Sequence, residues 1–148
     1  MRAGRPVSLW APVENGEGLN ACARACFSKG IFIMALMINN NCIACDACLP
    51  VCPNQAIFDK RSAAEERGFH VGAAQGTDNS IYVITYERCT ECVGHFEEPQ
   101  CASVCPIGDC CVPDPDLPES RDTLLERARR IQPHIVIHEE KVWRGVRG

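Results

Sequence analysis

The chain has 148 residues, enough for one modest domain with extensions, and 12 of them are cysteine. Its net charge is −4, and residues 34–131 carry fifteen acidic and eight basic side chains. This acidic middle argues against a nucleic-acid partner and favours docking on basic surfaces of other proteins. The longest apolar run, residues 31–38, is too short to cross a bilayer.

Residues 1–33 lack a helical or strand period because prolines and glycines interrupt it. We therefore expect a poorly structured N-terminal extension, and we hypothesise that the native chain starts at Met34. The apolar run precedes asparagines and no small-residue cleavage site, which argues against a signal peptide. The segment 34–38 predicts a short strand that opens a domain over residues 34–118.

Residues 60–79 are rich in Gly, Ala and charged side chains and predict an exposed loop inserted into that domain. One helical turn is expected at 65–67. A Pro-rich extended connector follows at 113–119.

The next segment, 119–132, predicts a C-terminal helix with Ser120 as its N-cap. Four apolar side chains share one face of this helix: Leu124, Leu125, Ala128 and Ile131. Residues 133–148 form a tail, in which 135–137 predict a strand.

The middle of the chain contains an internal repeat. Each half has an apolar run, a cysteine series that closes in Cys-Pro, and a second apolar stretch. The apolar segments are 35–38 and 56–58 in the first half, and 81–85 and 111–112 in the second. Two similar halves predict a pseudo-two-fold structure in which each half completes the other.

The cysteine series of the first half has a spacing typical of iron–sulfur ligation. It reads Cys42-x2-Cys45-x2-Cys48-x3-Cys52-Pro53. Three thiolates on a tight loop take three corners of a cubane cluster, whereas the fourth lies on the following helical turn and ligates another cluster. The proline lacks an N–H and directs the chain out of that turn.

The second series follows the same logic with six additional residues between its second and third cysteines. It reads Cys89-x2-Cys92-x8-Cys101-x3-Cys105-Pro106. If the last cysteine of each series crosses to the other half, the ligands of the first cluster are Cys42, Cys45, Cys48 and Cys105. Those of the second cluster are Cys52, Cys89, Cys92 and Cys101. We predict two [4Fe–4S] clusters and no catalytic residue.

Zinc binding, disulfide formation and a three-iron cluster are three other possible uses of these cysteines. Zinc is disfavoured because zinc sites use two cysteine pairs rather than a repeated triplet with a trailing Cys-Pro. Disulfides are disfavoured because cysteines two residues apart bridge poorly to one another. A three-iron cluster is disfavoured because the middle ligands Cys45 and Cys92 are both present. His95 is interpreted as a loop residue rather than a ligand.

Four further cysteines are interpreted as unligated thiols, because eight ligands already saturate two clusters. They are Cys22, Cys26, Cys110 and Cys111.

Several segments resemble the bacterial-type 2[4Fe–4S] ferredoxins, and most narrowly the Alvin-type subgroup from phototrophic and other bacteria. The matching segments are MALMI (34–38), CIACDACLPVCPNQAI (42–57), CTECVGH (89–95), QCASVCP (100–106) and the helix at 120–131. Ferredoxins encoded with nitrogen-fixation genes share the pattern CTECVGHFEEPQC (89–101). Three features depart from the family: residues 1–33, the insertion 60–79 and one additional residue between Cys105 and Cys110.

The resemblance implies an α+β fold. It is a ferredoxin-like pseudo-two-fold repeat of short β-hairpins and short helices around two iron–sulfur clusters, with an additional C-terminal helix. It also implies a low-potential electron carrier that accepts electrons from reductases and donates them to redox enzymes such as nitrogenase, through its reductase component.

No bond chemistry is needed for this role, so we expect an electron-transfer protein and not an enzyme. We expect a cytoplasmic monomer without a membrane span. The alternatives are an electron-relay subunit of a larger oxidoreductase complex and a cluster-based sensor or structural protein.

Overall fold

The computed structural model describes residues 32–142. It contains four strands, β1 (Phe32–Ile38), β2 (Ile57–Phe58), β3 (Val83–Ile84) and β4 (Cys111–Ser120). It also contains three helices, α1 (Arg61–Glu66), α2 (Gln100–Val104) and α3 (Arg121–Ile131). The strands form two antiparallel two-stranded sheets, β1–β4 and β2–β3. Short strands and short helices thus alternate with the cysteine series, as expected for an α+β repeat.

Strands β1 and β4 bring the start and the end of the domain together. Leu36 lies opposite Pro113 and Ile38 opposite Cys111, with an irregularity in register between Met34 and Leu36. The connector predicted as extended is thus most of β4. Its prolines lack an N–H, but each sheet has only two strands and therefore only edge positions, where proline is tolerated. Strand β1 begins at Phe32, two residues before the predicted start, and residues 1–31 lie outside the described part of the chain.

The largest apolar cluster lies where the two sheets and the cysteines meet. Leu36, Ile38, Ile57, Tyr82 and Ile84 are all buried there. They pack with buried and half-buried cysteines: Cys42, Cys48, Cys52, Cys89, Cys101, Cys105, Cys110 and Cys111. An apolar cluster around these sulfur atoms limits the access of water to any group that they hold.

The insertion 60–79 is more ordered than the exposed loop that its composition predicts. Helix α1 spans Arg61–Glu66 and buries Ala64 against Phe58, Val71 and Val83. The predicted turn at 65–67 is the end of this helix. A small apolar set within the insertion was sufficient to pack the segment against β2 and β3.

Gln75 extends this packing to both sheets. Its side-chain oxygen accepts hydrogen bonds from the Ile38 N–H at 3.1 Å and the Ile84 N–H at 2.9 Å. Its amide nitrogen donates to the Ile84 carbonyl at 3.2 Å. Arg61 in turn donates to the Gln75 carbonyl at 2.6 Å. The inserted segment therefore supplies partners for backbone groups that the short strands leave free.

Helix α3 lies within the predicted range, and Ser120 caps it by accepting a hydrogen bond from the Thr123 N–H at 3.2 Å. Leu124 and Leu125 are buried against Val93, together with Ile137 and Val142 of the tail. Of the predicted apolar face, only Ile131 is not buried.

The prediction of a strand at 135–137 was wrong. This segment has no strand in the described structure; it instead packs through Ile137 on the loop at Gly94. The His138 N–H donates to the Gly94 carbonyl at 3.0 Å, and the Gly94 N–H donates to the Lys141 carbonyl at 2.8 Å. The backbone groups of the tail thus form hydrogen bonds with this loop instead of pairing with a strand.

Within residues 32–142, no helix combines the length and the apolarity needed to cross a lipid bilayer.

Candidate metal centre

The loop that carries the first three cysteines, residues 42–48, is here called the first-motif loop. Ala44 and Asp46 adopt positive φ angles of 52° and 65°. Non-glycine residues rarely do so, and consecutive reversals of this kind tighten a loop. The Ala44 N–H donates to the Cys42 sulfur at 3.4 Å. The loop thus directs this backbone amide group towards its own first sulfur atom.

The second-motif loop, residues 89–95, repeats part of this conformation. Glu91 stands two residues after its first cysteine, as Ala44 does, and has nearly the same φ angle, 51°. The Gln100 N–H donates to the Cys92 sulfur at 3.4 Å, and the Ala56 N–H donates to the Cys52 sulfur at 3.3 Å. The two halves therefore share part of their backbone conformation as well as the spacing of their cysteines.

The last cysteine of each series does not lie on a helix of the same kind. Cys105 follows helix α2 directly, whereas Cys52 lies in a turn in which the Gln55 N–H donates to the Cys52 carbonyl at 3.3 Å. The helical turn expected at Cys52 is thus a single reverse turn.

Two cavities receive the eight cysteines that the spacing selects. The lining of the first includes Cys42, Cys45, Cys48 and Cys105. The lining of the second includes Cys52, Cys89, Cys92 and Cys101. The division between the cavities is the one obtained by exchanging the last cysteine of each series.

The residues present fit a sulfur-ligated iron cluster in both cavities. All ten described cysteines are free thiols, and each cavity offers four of the predicted set. The second cavity is otherwise lined largely by apolar side chains, among them Leu36, Ile57 and Ile84. Four thiolates in an apolar setting, with amide groups directed at sulfur, are the donor set that a [4Fe–4S] cluster takes.

Comparison with known proteins agrees with this chemistry. The family described as 4Fe-4S dicluster domain matches residues 41–108. An uncharacterized ferredoxin-like protein of Haemophilus influenzae is 45% identical over 94 residues, which are 64% of this chain and 88% of that protein. Ferredoxin Fdx2 of Sorangium cellulosum is 39% identical over 68% of this chain and 80% of its own length.

This chain belongs to the ferredoxins. The crystal structure of the ferredoxin from Thauera aromatica shares 43% identity and a TM-score of 0.50, over 66% of this chain and 98% of that one. A ferredoxin-like protein in the nif region of Bradyrhizobium diazoefficiens is 40% identical over 55% of this chain and 86% of its own length. The protein is thus an α+β ferredoxin with two [4Fe–4S] clusters, an electron carrier rather than an enzyme.

The two cavities of this ferredoxin differ in their exposure to solvent. Cys45 of the first cavity is exposed, whereas Cys89 and Cys92 of the second are each 7% exposed and Cys101 is 6% exposed. Burial raises the pKa of Cys89 to about 12 and that of Cys92 to about 11. Each of these buried thiols would therefore release a proton on binding metal.

Helix α3 holds the backbone around the second cavity. Arg127 donates to the Cys89 carbonyl at 2.7 Å and pairs with the Glu119 carboxylate. Gln132, which follows the helix, donates to the carbonyl of Pro53. The C-terminal helix and the residue after it therefore contact two of the chain segments that line the second cavity.

Glu91 is a functional candidate that the spacing alone did not indicate. It lines the second cavity and is 1% exposed, and neither carboxylate oxygen has a hydrogen-bond partner among the described residues. Burial, together with the charge of Glu119, raises the pKa of Glu91 to about 8. The one signal in the sequence was a carboxylate between two ligand-spaced cysteines.

The remaining cysteines and His95 have distinct positions. Cys110 and Cys111 also line the first cavity, and the sulfur atoms of Cys105, Cys110 and Cys111 lie within 4.8 Å of one another. Cys22 and Cys26 lie outside the described residues. His95 does not line either cavity, and burial lowers its pKa.

Proposed function

We propose that this ferredoxin binds one cluster through the first ligand set and the second cluster through the other, with one ligand of each set contributed by the opposite half. The first set is Cys42, Cys45, Cys48 and Cys105. The second set is Cys52, Cys89, Cys92 and Cys101. The observation that carries this proposal is the division of these eight side chains, four and four, between two cavities.

When bound, a [4Fe–4S] cluster takes up and releases one electron. The chain's own groups set the energy of that exchange. The amide groups of Ala44, Ala56 and Gln100 donate to sulfur and stabilise its negative charge. The apolar lining of the second cavity destabilises the same charge. We propose a low reduction potential because four thiolates and a predominantly acidic domain both disfavour an added electron.

The ligand assignment is tested by replacing Cys105 and, as a matched control, Cys110. Both sulfur atoms lie in the same group beside the first cavity, but only Cys105 belongs to the predicted set. We expect about eight irons per chain in the wild type and in Cys110→Ser. Cys105→Ser should lose or alter the cluster of the first motif, as judged by anaerobic iron and sulfide analysis with EPR of the reduced protein. Loss of the cluster in Cys110→Ser but not in Cys105→Ser would exclude Cys105 as the fourth ligand.

We further propose that the ferredoxin works in the cytoplasm as a monomer that receives electrons from reductases and donates them to redox enzymes such as nitrogenase. The ten free cysteines of the described residues favour a reducing compartment. The support for nitrogenase is the similarity to ferredoxin-like proteins in the nif region, including that of Azotobacter vinelandii at 40% identity over 50% of this chain and 61% of that protein.

Two measurements test this proposal. The reduced holoprotein should sustain substrate reduction when it is the sole electron donor to the reductase component of nitrogenase. Size-exclusion chromatography of native extract should give a free small protein. Elution only within a large complex would favour a relay subunit of an oxidoreductase instead.

A further inference from the structure

The two motif loops occupy equivalent places in the repeat but differ sharply in exposure. Ile43 and Thr90 both follow the first cysteine of their loops, and they are 59% and 1% exposed. Asp46 and Val93 both follow the second cysteine; Asp46 is exposed, whereas Val93 is 0% exposed. The repeat thus presents one loop to solvent and buries the other.

The second-motif loop is buried because the C-terminal segment packs on it. Leu124 and Leu125 of helix α3 pack against Val93, and Gly94 exchanges backbone hydrogen bonds with His138 and Lys141. The first-motif loop instead keeps an isoleucine side chain, a cavity cysteine and a carboxylate in contact with solvent.

The chain segments that line the first cavity contain acidic residues and no basic ones. The sequence has no Lys or Arg between Lys29 and Lys60, or between Arg88 and Arg121, and these two segments supply almost the whole lining of the first cavity. Asp46 lines the cavity, and the backbone carbonyl of Asp109 accepts a hydrogen bond from Asn39, just before the first-motif loop. Basic side chains are instead frequent on helix α3 and the tail.

We infer that the first-motif face, defined as Ile43, Cys45, Asp46 and Asp109, docks redox partners that present a basic patch around an apolar centre. Opposite charge increases the rate of encounter, and Ile43 offers an exposed apolar side chain beside the exposed Cys45. This inference rests on the proposed carrier function, and it makes the first-motif face the place where electrons enter and leave.

Ferric cytochrome c, a basic haem protein, is a suitable probe. In each encounter one electron leaves the reduced holoprotein and converts ferric haem iron to ferrous, after excess dithionite has been removed. The test variant is Asp46→Asn with Asp109→Asn. Its matched control is Asp122→Asn with Glu126→Gln, which removes the same two charges from the exposed side of helix α3.

At low ionic strength we expect the second-order rate constant of the test variant to fall by about three- to tenfold, and the control to change by less than about twofold. The difference should disappear at high salt because the charges are exposed and therefore screened. An equal fall of the rate constant in both variants would overturn the inference, because the rate would then depend on net charge alone.

The apolar centre is tested by Ile43→Thr, which installs the residue type found at the equivalent position of the second loop. Val136→Thr is the control, because Val136 is 75% exposed on the tail. We expect the rate at high salt to fall only for Ile43→Thr. Visible absorbance per chain must match that of the wild type in each variant, so that a loss of cluster is not read as a loss of docking.

Cross-linking gives a readout that does not depend on electron transfer. A carbodiimide activates a carboxylate, a lysine amine of cytochrome c displaces it as the urea, and an amide bond forms between the two proteins. Peptide mapping should find Asp46 and Asp109 in these bonds. Cross-links concentrated at Asp122 and Glu126, or only between two copies of this ferredoxin, would overturn the inference. A wild type that cross-links at the expected face but never reduces the haem would contradict the carrier function instead.

Discussion

The carboxamide of Gln75 lies where the two sheets approach each other and bonds backbone groups of both. It is 1% exposed, so water cannot replace these bonds when the side chain is removed. Ile38 immediately precedes the segment that leads to the first cysteines, and Ile84 precedes Thr85, whose carbonyl accepts from the Cys89 N–H at 3.0 Å. One side chain of the insertion thus connects the approaches to both cavities.

We expect Gln75→Leu to lower the free energy of unfolding of the holoprotein by about 3 kcal/mol, because buried backbone groups lose their partners. Urea titration followed by visible absorbance measures this loss. Gln100→Leu is the control; its side chain bonds only the exposed Glu98 carbonyl, and a change within about 0.5 kcal/mol is expected. Similar losses at both positions would show that Gln75 has no special role.

Gly94 combines a positive φ of 82° with close contact to the tail. A Cβ atom there would lie 2.3 Å from Cγ2 of Ile137. We expect Gly94→Ala to cost about 2–4 kcal/mol through backbone strain and overpacking. Gly68→Ala isolates the strain, since Gly68 has a φ of 79° and open space around it, and should cost only about 1 kcal/mol. Equal melting temperatures for the two variants would contradict the contact with the tail.

At the scale of elements, helix α3 is the part in which local signals and tertiary contacts agree. Its N-cap, its dipole-compatible charges and its apolar face are all readable from the sequence. What the apolar face covers was not readable, because Val93 lies more than thirty residues away in the chain. The helix shields the second-motif loop and bonds the Cys89 carbonyl through Arg127.

We expect Leu124→Ala to destabilise the holoprotein by about 2–5 kcal/mol, because Leu124 is 0% exposed and its removal leaves a cavity under the helix. Ile135→Ala, at a position that is 54% exposed, is the control and should have little effect. Thermal loss of visible absorbance compares the two variants, and a Leu124→Ala protein as stable as the control would argue against the observed packing.

At the scale of the whole molecule, the pseudo-two-fold repeat is broken by what packs on each half. Strong chelators and oxidants reach an exposed site before a buried one. We therefore expect iron release to a chelator to proceed in two phases of similar amplitude, the fast phase from the site with the exposed Cys45. EPR of samples quenched between the phases assigns each site.

Leu124→Ala provides an internal check on this assignment. It should accelerate the slow phase and leave the fast phase unchanged, because Leu124 packs against Val93 of the second-motif loop. A single phase in the wild type, or acceleration of both phases, would show that the exposure of the two sites does not control their lability.

The two cysteine series, the repeat and the terminal helix could be predicted from the sequence alone because each depends on local spacing. The exchange of the last cysteine between the halves follows instead from the ferredoxin pattern. Cysteines two or three residues apart can share a cavity only through a tight loop, and a helical face depends on a period of a few residues. The ligand assignment remains a prediction, although the cavities divide the cysteines in the same way.

The role of the insertion and the unequal exposure of the two loops were decided by the tertiary structure. Gln75 stands in a polar, glycine-rich segment whose composition predicts an exposed loop. It is buried because its side chain forms hydrogen bonds with the backbone of strands from elsewhere in the chain. Ile43 and Thr90 have equivalent local settings, yet only one is covered. Local spacing determines which side chains of one loop can bind the same cluster. Burial depends on distant segments, which are brought into contact only in the folded chain.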